Sequence, residues 1–382
     1  MIVISSLFFI IGLWAFLLFF SNKKYLQNLQ KGWQAYKSDE LITVAVPARN
    51  EEACIERCIR SLLKQSHTNL QILILDDAST DATRSIAQRI AQEDDRITVL
   101  QGKQLQQGYR GKIFAMQQLL EASKGSYILF TDADTIHTEN SVAYGLAMLK
   151  KTKASLVSGY PKQLTPSLPV ELIVSAMLFN PVLFVPFKLQ EELQARLFAM
   201  AIGQYLMIKT DALVEAGGFD SIKSETCDDV ALARMFAQKG YGQVFAPMQE
   251  FLSCEMFTSF SSGWHSLERS INAVVKQHFL GLLLILCIVC ILILLSCSPF
   301  FTLFILSQLF FKEGFLLVFV LSLGGNILLF TAWMRATSYF KFSKQSGYFV
   351  HLTICFIVLM YLHGLYLHLS GKGFVWKGRN VL

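Results

Sequence analysis

The stretch LITVAVPARNEE at residues 41–52 decides the fold, because an apolar segment there leads directly into a polar turn. Two later stretches repeat the pattern: QILILDDASTD at residues 71–81 and GSYILFTDADT at residues 125–135. Helix-like sequence follows the first two, at residues 50–65 and 79–95, and Ser79 or Thr80 is predicted to cap the second helix. Strands that alternate with helices predict a parallel, doubly wound α/β sheet. Ligands bind such sheets at the carboxyl ends of the strands, which is where the acidic residues stand here.

The composition is too apolar for an ordinary soluble protein, since 53% of the 382 residues are hydrophobic and 16% are charged. The formal net charge is +6, and the basic excess lies after residue 275, beside apolar segments. A nucleic-acid partner would need a basic patch on the soluble part, so we expect none. The eight cysteines lack the spacing of a disulfide or zinc framework, and we interpret them as small buried hydrophobic residues in a reducing compartment.

The apolar segments predict a multi-pass protein of the cell membrane. Residues 1–22 form an N-terminal span, and Lys23 and Lys24 behind it place the next domain in the cytoplasm. Residues 169–207 are predicted to lie on the membrane surface, with a pair of buried core helices as the alternative. Residues 41–275 are the predicted catalytic domain, residues 279–371 a membrane region of three or four helices, and residues 372–382 a basic tail. The candidate spans are residues 279–296, 314–333 and 347–369, with residues 299–311 a fourth span or a re-entrant piece.

Asp132 and Asp134 follow the apolar run YILF and are candidate metal ligands. Carboxylates are the hard oxygen ligands that Mg²⁺ and Mn²⁺ prefer, and a cation held there would neutralise a diphosphate leaving group. The alternative is an acidic turn that caps a helix. In both cases, the pair places two negative charges at the end of the predicted strand.

Asp77, together with Asp76, ends another strand, and its carboxylate can accept hydrogen bonds from a nucleobase or from ribose hydroxyls. An Asx turn is the alternative for this pair. Lys112 precedes a predicted helix and offers a cation for phosphate, although its surroundings lack the spacing of a P-loop.

A later block, GGFDSIKSETCDDVALARMFAQKG at residues 217–240, places Asp228 and Asp229 at a helix start. A carboxylate in this position suits a general base that takes a proton from an acceptor hydroxyl, and a favourable helix-dipole contact is the alternative. Successive helical positions point about 100° apart, so we expect only one of the two to face the site. No Lys or Arg lies between Lys223 and Arg234, which predicts that neither Asp is obliged to form an ion pair.

Trp264 and Arg269 lie just before the membrane region. Arg269 is a candidate clamp for a diphosphate, and an amphipathic helix with an interfacial Trp is the alternative.

In their order along the chain, PARNEE, DDASTDAT, GK before a helix, TDAD, GGFD and the late DD resemble the family 2 inverting glycosyltransferases with the GT-A fold, over roughly residues 41–275. The resemblance implies Mg²⁺ or Mn²⁺ as the cofactor, with Asp134 as metal ligand beside Asp132 and Asp229 as the catalytic base. It also implies a nucleotide-sugar site, formed by Pro47, Asn50, Glu51, Asp77, Lys112 and Asp132.

Two departures from the family pattern bear on the product. Gln117 stands where the family often has Asn, and SLERS at residues 266–270 replaces the Q-x-x-R-W of processive members. The arrangement of the apolar segments is more similar to members of carotenoid and hopanoid pathways. We therefore expect transfer of a single sugar, from a UDP-sugar to a hydroxyl or carboxyl group of a lipid-like acceptor. The alternatives are a processive polysaccharide synthase and a non-catalytic membrane scaffold.

Overall fold

The computed structural model describes residues 1–34, 38–274, 279–309, 315–370, 374–376 and 379–381. The chain divides into two compact units. The sheet unit comprises residues 24–164 and 187–256, and the helical unit comprises residues 1–23, 165–186 and 257–382.

The strands, in chain order, are β1 (Ile42–Ala48), β2 (Leu70–Asp76), β3 (Ile97–Gln101), β4 (Tyr127–Phe130), β5 (Thr135–His137), β6 (Leu156–Ser158), β7 (Lys162–Gln163), β8 (Leu206–Lys209), β9 (Gln243–Phe245), β10 (Leu252–Cys254), β11 (Phe374–Trp376) and β12 (Arg379–Val381). The helices are α1 (Ile2–Gln30), α2 (Ile55–Leu63), α3 (Thr83–Ala91), α4 (Gly111–Ala122), α5 (Ser141–Thr152), α6 (Leu168–Phe184), α7 (Phe187–Leu193), α8 (Thr210–Glu215), α9 (Asp228–Gln238), α10 (Phe260–Val274), α11 (Phe279–Leu309), α12 (Phe315–Tyr339), α13 (Lys344–Tyr348) and α14 (Val350–Leu369), with a 3₁₀ turn at Gly218–Ile222.

The sheet unit is built on a mostly parallel sheet. Within the described ranges, seven strands pair in the order β3-β2-β1-β4-β8-β6-β9. β8 runs antiparallel to both of its neighbours, and the other pairs are parallel. A smaller sheet has the order β5-β10-β7. The predicted α/β class with a mostly parallel sheet is confirmed.

The central strand β1 shows why this sequence forms a two-sided sheet. Val44 and Val46 point to one face and pack in a cluster with Ile59 of α2. Ala45 points to the other face and packs in a second cluster with Leu119 of α4. Because helices cover both faces, the strand is apolar at consecutive positions instead of alternating with polar residues.

The predicted cap of α3 is wrong. The helix begins at Thr83, and no side chain caps it at Ala82. Ser79 Oγ instead accepts a hydrogen bond from the Asn50 N–H at 3.0 Å, and the Thr80 N–H donates to Asn50 Oδ1 at 2.8 Å. These two residues therefore join the loop after β2 to the loop after β1.

In the helical unit, four of the described helices are long and apolar enough to cross a membrane. They are α1, α11 over Cys287–Gln308, α12 and α14 over Val350–Leu367. Residues 169–186 of the predicted surface segment, most of which form α6, belong to this unit, whereas residues 187–207 belong to the sheet unit.

Pro299 does not divide α11, which corrects the expected separation between residues 279–296 and 299–311. The helix is continuous from Phe279 to Leu309, and residues 310–311 lie outside the described ranges. A proline removes the hydrogen bond to the carbonyl four residues earlier, which here is that of Leu295. Ser298 Oγ lies 2.8 Å from this carbonyl and His351 Nδ1 lies 3.2 Å from it. The Leu295 carbonyl therefore has other polar contacts in place of the backbone hydrogen bond that the proline removes, and the helix continues.

Candidate active site

The carboxyl ends of β1, β2 and β4 meet at one edge of the sheet. The Asp77 N–H donates to the carbonyl of Ala48 at the end of β1, at 2.8 Å. The Thr131 N–H, directly after β4, donates to the carbonyl of Ala45 at 3.1 Å. The loops that carry the acidic residues are thus hydrogen-bonded to the same central strand.

Pro47 lies in the last part of β1, and Glu51 lies in the turn that follows this strand. Pro47 lies opposite Leu75 of β2, beyond Ala45, which is the last β1 residue paired with β4. A proline is tolerated there because no neighbouring strand requires its missing N–H. The Glu51 N–H donates to Thr83 Oγ1 at 2.7 Å, which fixes the turn against the start of α3.

Two residues of these loops have a left-handed backbone. Asn50 and Ala78 each have a φ of 54°. Asparagine adopts this conformation readily, but alanine does so at a cost of roughly 1–2 kcal/mol. Such strain persists where surrounding contacts enforce it, and it is concentrated at functional sites. Here the contacts of Asn50 with Ser79 and Thr80 supply that enforcement.

Asp77 and Asp76 have different surroundings. Asp76 Oδ1 accepts the Ser79 N–H at 3.3 Å, so Asp76 makes the Asx-type turn. Arg49 Nη1 donates to the Asp77 carbonyl at 2.7 Å and lies 3.7 Å from Asp77 Oδ2. The carboxylate of Asp77 is therefore positioned beside a cation at the loop end of β2.

Lys112, at the start of α4, connects two of the predicted acidic groups. Its Nζ lies 2.7 Å from Asp132 Oδ1 and 3.5 Å from Asp228 Oδ2. Burial opposes the charge of the ammonium, but the attraction of Asp132, Asp228 and Asp229 outweighs it and raises the pKa of Lys112. Lys112 is therefore a fixed positive charge at the centre of the site.

Asp134 carries an oxygen that fits a cation. Its Oδ1 atom is buried and has no hydrogen-bond partner among the described residues. Burial, followed by the negative charges of Asp132 and Glu51, raises the pKa of Asp134 to about 7. A buried, unpartnered carboxylate oxygen is costly unless a positive charge meets it. The residues present thus fit a divalent cation, although the described part of the chain contains no cluster of three His, Cys, Asp or Glu ligands. Two carboxylates from the protein leave coordination positions for water and for donor phosphates, as is usual for Mg²⁺.

A buried polar network holds the loop between β4 and β5, which carries Asp132 and Asp134. Thr131 Oγ1 lies 3.0 Å from His137 Nε2, and His137 Nδ1 lies 2.8 Å from Ser141 Oγ. Burial lowers the pKa of His137 to about 3, so the imidazole is neutral. The network therefore positions the loop between β4 and β5 without adding a charge to the site.

Asp229 is held at the start of α9. Its Oδ2 accepts the Gly203 N–H at 2.9 Å, and its Oδ1 accepts the Val230 N–H at 2.8 Å. Burial, followed by the charge of Asp228, raises the pKa of Asp229 to about 6. A carboxylate with a raised pKa and fixed geometry suits a general base.

The expectation that only one of the two Asp residues faces the site is wrong. Asp228 reaches Lys112 directly, and Asp229 also interacts electrostatically with that ammonium. In the first turn of a helix the Cα–Cβ bonds tilt toward the N-terminus, so neighbouring residues can both reach the region in front of the helix. The expected absence of an obligatory ion pair also fails for Asp228, because Lys112 comes from α4 and not from the local sequence.

Three residues of the site were missed in the sequence analysis: Gly203, Gln204 and Cys254. A Cβ built on Gly203 would lie 3.3 Å from Lys112 Nζ and 3.6 Å from Asp229 Oδ2. Gln204 Nε2 donates to Cys254 Sγ at 3.0 Å, and Cys254 pairs with Thr135, the residue that follows Asp134. No motif marks these positions, and their proximity depends on the direction of β8.

Gln117, noted for its departure from the family pattern, supports the GGFD turn. Its Oε1 accepts the Phe219 N–H at 3.0 Å. Gly218 has a φ of 59°, and a Cβ there would lie 2.9 Å from the same Oε1. Glycine is therefore favoured by the left-handed backbone at this position, and the turn fixes the approach to α9.

Trp264 and Arg269 belong to α10 in the helical unit. Trp264 stacks on Phe260 with ring centroids 5.9 Å apart and meets Phe356 of α14 edge-on at 6.1 Å. Their part in a donor site remains a prediction, whereas the other predicted site residues all lie in the sheet unit.

Residues 43–213 match the family described as glycosyl transferase family 2. The chain is similar to UDP-Glc:alpha-D-GlcNAc-diphosphoundecaprenol beta-1,3-glucosyltransferase WfgD of Escherichia coli, with 31% identity over 121 residues, 32% of this chain and 46% of that protein. It is also similar to the beta-monoglucosyldiacylglycerol synthase of Trichormus variabilis, with 28% identity over 158 residues, 41% of this chain and 32% of that protein. The chain therefore spans less than half the length of these two relatives.

Among solved structures, the fold is similar to that of mannosyltransferase PcManGT from Pyrobaculum calidifontis, determined in complex with GDP-Man and Mn²⁺. The TM-score is 0.57, with 97% of this chain and 99% of that chain covered at 18% sequence identity. This similarity shows the shared GT-A fold. Residues 43–213 thus form a glycosyltransferase family 2 domain, and the family predicted from the order of the motifs is confirmed.

Proposed function

We propose that the chain is a membrane-bound glycosyltransferase that moves one sugar from a UDP-sugar to a hydroxyl or carboxyl group of a lipid or lipid-like acceptor. The proposal includes inversion at the anomeric carbon and dependence on Mg²⁺ or Mn²⁺. One observation carries it: Lys112 lies between Asp132 and the Asp228–Asp229 pair of α9. Asp132 belongs to the loop between β4 and β5, residues 131–134, which is called the metal loop below because it carries the proposed metal ligands. The names of the two relatives, one with a diphosphoundecaprenol acceptor and one with a diacylglycerol product, support a lipid acceptor.

The mechanism follows from the charges of these residues. Asp229 takes the proton from the acceptor hydroxyl as its oxygen forms a bond to the anomeric carbon. The bond from that carbon to the diphosphate breaks, and the nucleoside diphosphate leaves with the bonding electrons. Lys112 offers a fixed positive charge to the departing diphosphate. Asp134 and Asp132 would hold a divalent cation, which when bound would supply further positive charge to that group.

Transfer of a single sugar is favoured over polymer secretion by the polar groups of the helical unit. The Ser298 hydroxyl donates to Asn326 Oδ1 at 2.6 Å, and Asn326 Nδ2 donates to Thr302 Oγ1 at 3.1 Å. These side chains of α11 and α12 satisfy one another, as is typical of helix packing in membranes. A secretion pore would instead turn such groups toward its lumen.

The function is tested by incubating membranes that contain the protein with a panel of radiolabelled nucleotide sugars and extracting the lipids. We expect label from one UDP-sugar in the lipid fraction. Label in a high-molecular-mass polymer would identify a processive synthase. Binding of a UDP-sugar without any transfer would identify a scaffold.

Asp77→Ala is expected to weaken binding of UDP and of the UDP-sugar to the same extent, because a contact with the nucleoside is equal in the ground and transition states. Loss of one charge-assisted hydrogen bond corresponds to roughly a tenfold or greater rise in Kd. Isothermal titration with UDP measures the effect, and Asp95→Ala at an exposed position serves as the control. Unchanged UDP affinity would leave Asp77 with a purely structural role beside Arg49.

The proposed topology places the N-terminus outside and the sheet unit in the cytoplasm, because Lys23 and Lys24 follow the apolar part of α1. A tag at residue 1 should be cleaved by protease added to intact cells. A tag inserted in the exposed loop at residues 104–107 should be protected until the cells are opened. Cleavage of the loop tag in intact cells would contradict the cytoplasmic placement.

Residues 187–197 are proposed to touch the membrane surface. Leu189, Leu193 and Leu197 recur every four residues and are 37%, 59% and 84% exposed. A photoreactive amino acid at residue 197 should crosslink to lipid when the protein is in a nanodisc. The matched control is residue 214, because Val214 is 59% exposed in the sheet unit. Equal lipid crosslinking at both positions would argue against a specific surface segment.

A further inference from the structure

We propose that Gln204 is a positioning residue that couples the base Asp229 to the cation ligand Asp134. The inference rests on the proposed function for the roles of those two carboxylates. The geometry that supports it lies entirely within the sheet unit.

The antiparallel direction of β8 brings Gln204 to the site. Leu206, the first residue of β8, pairs with Phe130, the last residue of β4. The segment that enters β8 therefore arrives at the edge where β4 continues into Asp132 and Asp134. Had β8 run parallel to β4, this segment would lie at the opposite edge.

The backbone around Gln204 contacts both halves of the site. The N–H of Gly203 donates to Asp229 Oδ2 at 2.9 Å. The carbonyl of Gln204 accepts a hydrogen bond from Thr131 Oγ1 at 2.8 Å. Two consecutive residues thus bind the base on one side and the metal loop on the other.

The side chain of Gln204 extends this connection to Asp134. Its Nε2 donates to Cys254 Sγ at 3.0 Å, Cys254 pairs with Thr135, and the N–H of the next residue, Glu255, donates to the Asp134 carbonyl at 3.3 Å. Its Oε1 accepts from Gln163 Nε2 at 3.2 Å, which orients the amide so that the NH₂ group faces the sulfur. Both Gln204 and Cys254 are buried, so water does not compete for these bonds.

The consequence for Asp134 is a fixed position. Thr131 and Thr135, on either side of Asp132 and Asp134, are held by Gln204 and Cys254, and Asp134 Oδ1 is buried without a hydrogen-bond partner in the described ranges. Residues that hold a metal ligand in this way typically contribute a factor of about 10–100 to metal affinity. Gln204 therefore positions the segment that carries Asp134 and, through the neighbouring Gly203, links it to Asp229.

A double-mutant cycle on Mn²⁺ binding tests the coupling. Electron paramagnetic resonance of free Mn²⁺ gives the dissociation constant in the presence of UDP, without any need for turnover. We expect Gln204→Met and Cys254→Ala each to raise the Kd for Mn²⁺ by about tenfold. The double variant should be no weaker than the more affected single variant, because both changes break the same chain. The control is Gln249→Met, which replaces another buried glutamine of the sheet unit.

Two results would overturn the proposal. One is unchanged Mn²⁺ affinity in Gln204→Met, and the other is a double variant whose effect equals the product of the two single effects. Cys254→Ser adds a check that does not depend on loss of stability, because the hydroxyl preserves an acceptor for the Gln204 amide and should retain near-normal affinity for Mn²⁺. A serine variant as weak as the alanine variant would indicate that the sulfur itself is needed, which contradicts a role through hydrogen bonding.

The sugar-transfer assay and the Mn²⁺ cycle together distinguish a failure of this inference from a failure of the proposed function. If the wild-type membranes transfer no sugar to extractable lipid but the Mn²⁺ cycle is non-additive, the proposed function fails and the coupling stands. If sugar is transferred and the cycle is additive, the function stands and Gln204 has no positioning role.

Discussion

Asp229→Asn is expected to lower the rate of sugar transfer by roughly 10²–10⁴-fold, which is the usual contribution of a general base. The amide keeps the shape of the side chain and can still accept the N–H of Gly203 through its oxygen. It cannot take a proton from the acceptor. Affinity for UDP and Mn²⁺ should therefore remain near that of the wild type, and single-turnover assays with the labelled donor should show the loss.

Asp228→Asn is the matched comparison, because it changes the neighbouring residue of the same helical turn. Asp228 lies 3.5 Å from Lys112, and both side chains are partly exposed. Ion pairs of this kind contribute up to about 1 kcal/mol, so we expect a loss below about tenfold. If Asp228→Asn abolishes transfer and Asp229→Asn does not, the base has been assigned to the wrong member of the pair.

The pH dependence of the wild type provides a second measurement on Asp229. A base acts only when it is deprotonated, and the pKa of Asp229 is raised to about 6. The value of kcat/KM should therefore be high above this pH and fall about tenfold per pH unit below it. The acid limb should disappear from the residual activity of Asp229→Asn. A limb that persists unchanged in the variant would belong to another group.

Asp134→Asn is expected to cut turnover by a factor on the order of 10² or more, because a bound cation contributes several kcal/mol of charge stabilisation to the departing diphosphate. The substitution removes the charge at the buried Oδ1 atom that has no partner. Mn²⁺ affinity measured in the presence of UDP should fall together with turnover. The measurement is a Mn²⁺ titration of activity, paired with a binding titration on the same preparation.

Chelation supplies the control for Asp134. The wild-type protein in EDTA should resemble the variant, and Mn²⁺ added back should restore the wild type but not Asp134→Asn. The helical unit is untouched by the substitution, so expression in membranes should be equal. Full activity of the wild type in EDTA would rule out the metal role of both Asp132 and Asp134.

The predictable parts of the fold and the site are those that depend on the local order of apolar and polar residues along the chain. Buried strands of a parallel sheet are apolar runs, and each run here ends in polar residues at one sheet edge. The positions of Asp77, Asp132 and Asp134 relative to the sheet follow from this rule alone. The family could also be inferred, because the motifs occur in a fixed order.

The parts that were not predictable depend on contacts between distant segments. The short strand β8 carries no mark of its direction, yet that direction brings Gly203 and Gln204 to the metal loop. The ion pair of Asp228 was missed because Lys112 is more than a hundred residues away in sequence. The continuity of α11 at Pro299 depends on Ser298 and on His351 of another helix. In each case tertiary contacts outweigh the local signal.

The reversed strand of the seven-stranded sheet, β8, has a consequence for how the site can be altered. The groups proposed to hold the donor follow the parallel strands β1, β2 and β4, whose spacing is set by the central sheet. The segment before β8 reaches the same edge from the other direction, and α9 with Asp229 lies beyond the stretch that matches the family, which ends at residue 213. A change at Gly203 or Gln204 would leave the register of the parallel strands intact, because neither residue is part of that sheet. It would instead act on Thr131 and Asp229 through tertiary hydrogen bonds, so the site is adjustable at a point that the sheet itself does not constrain.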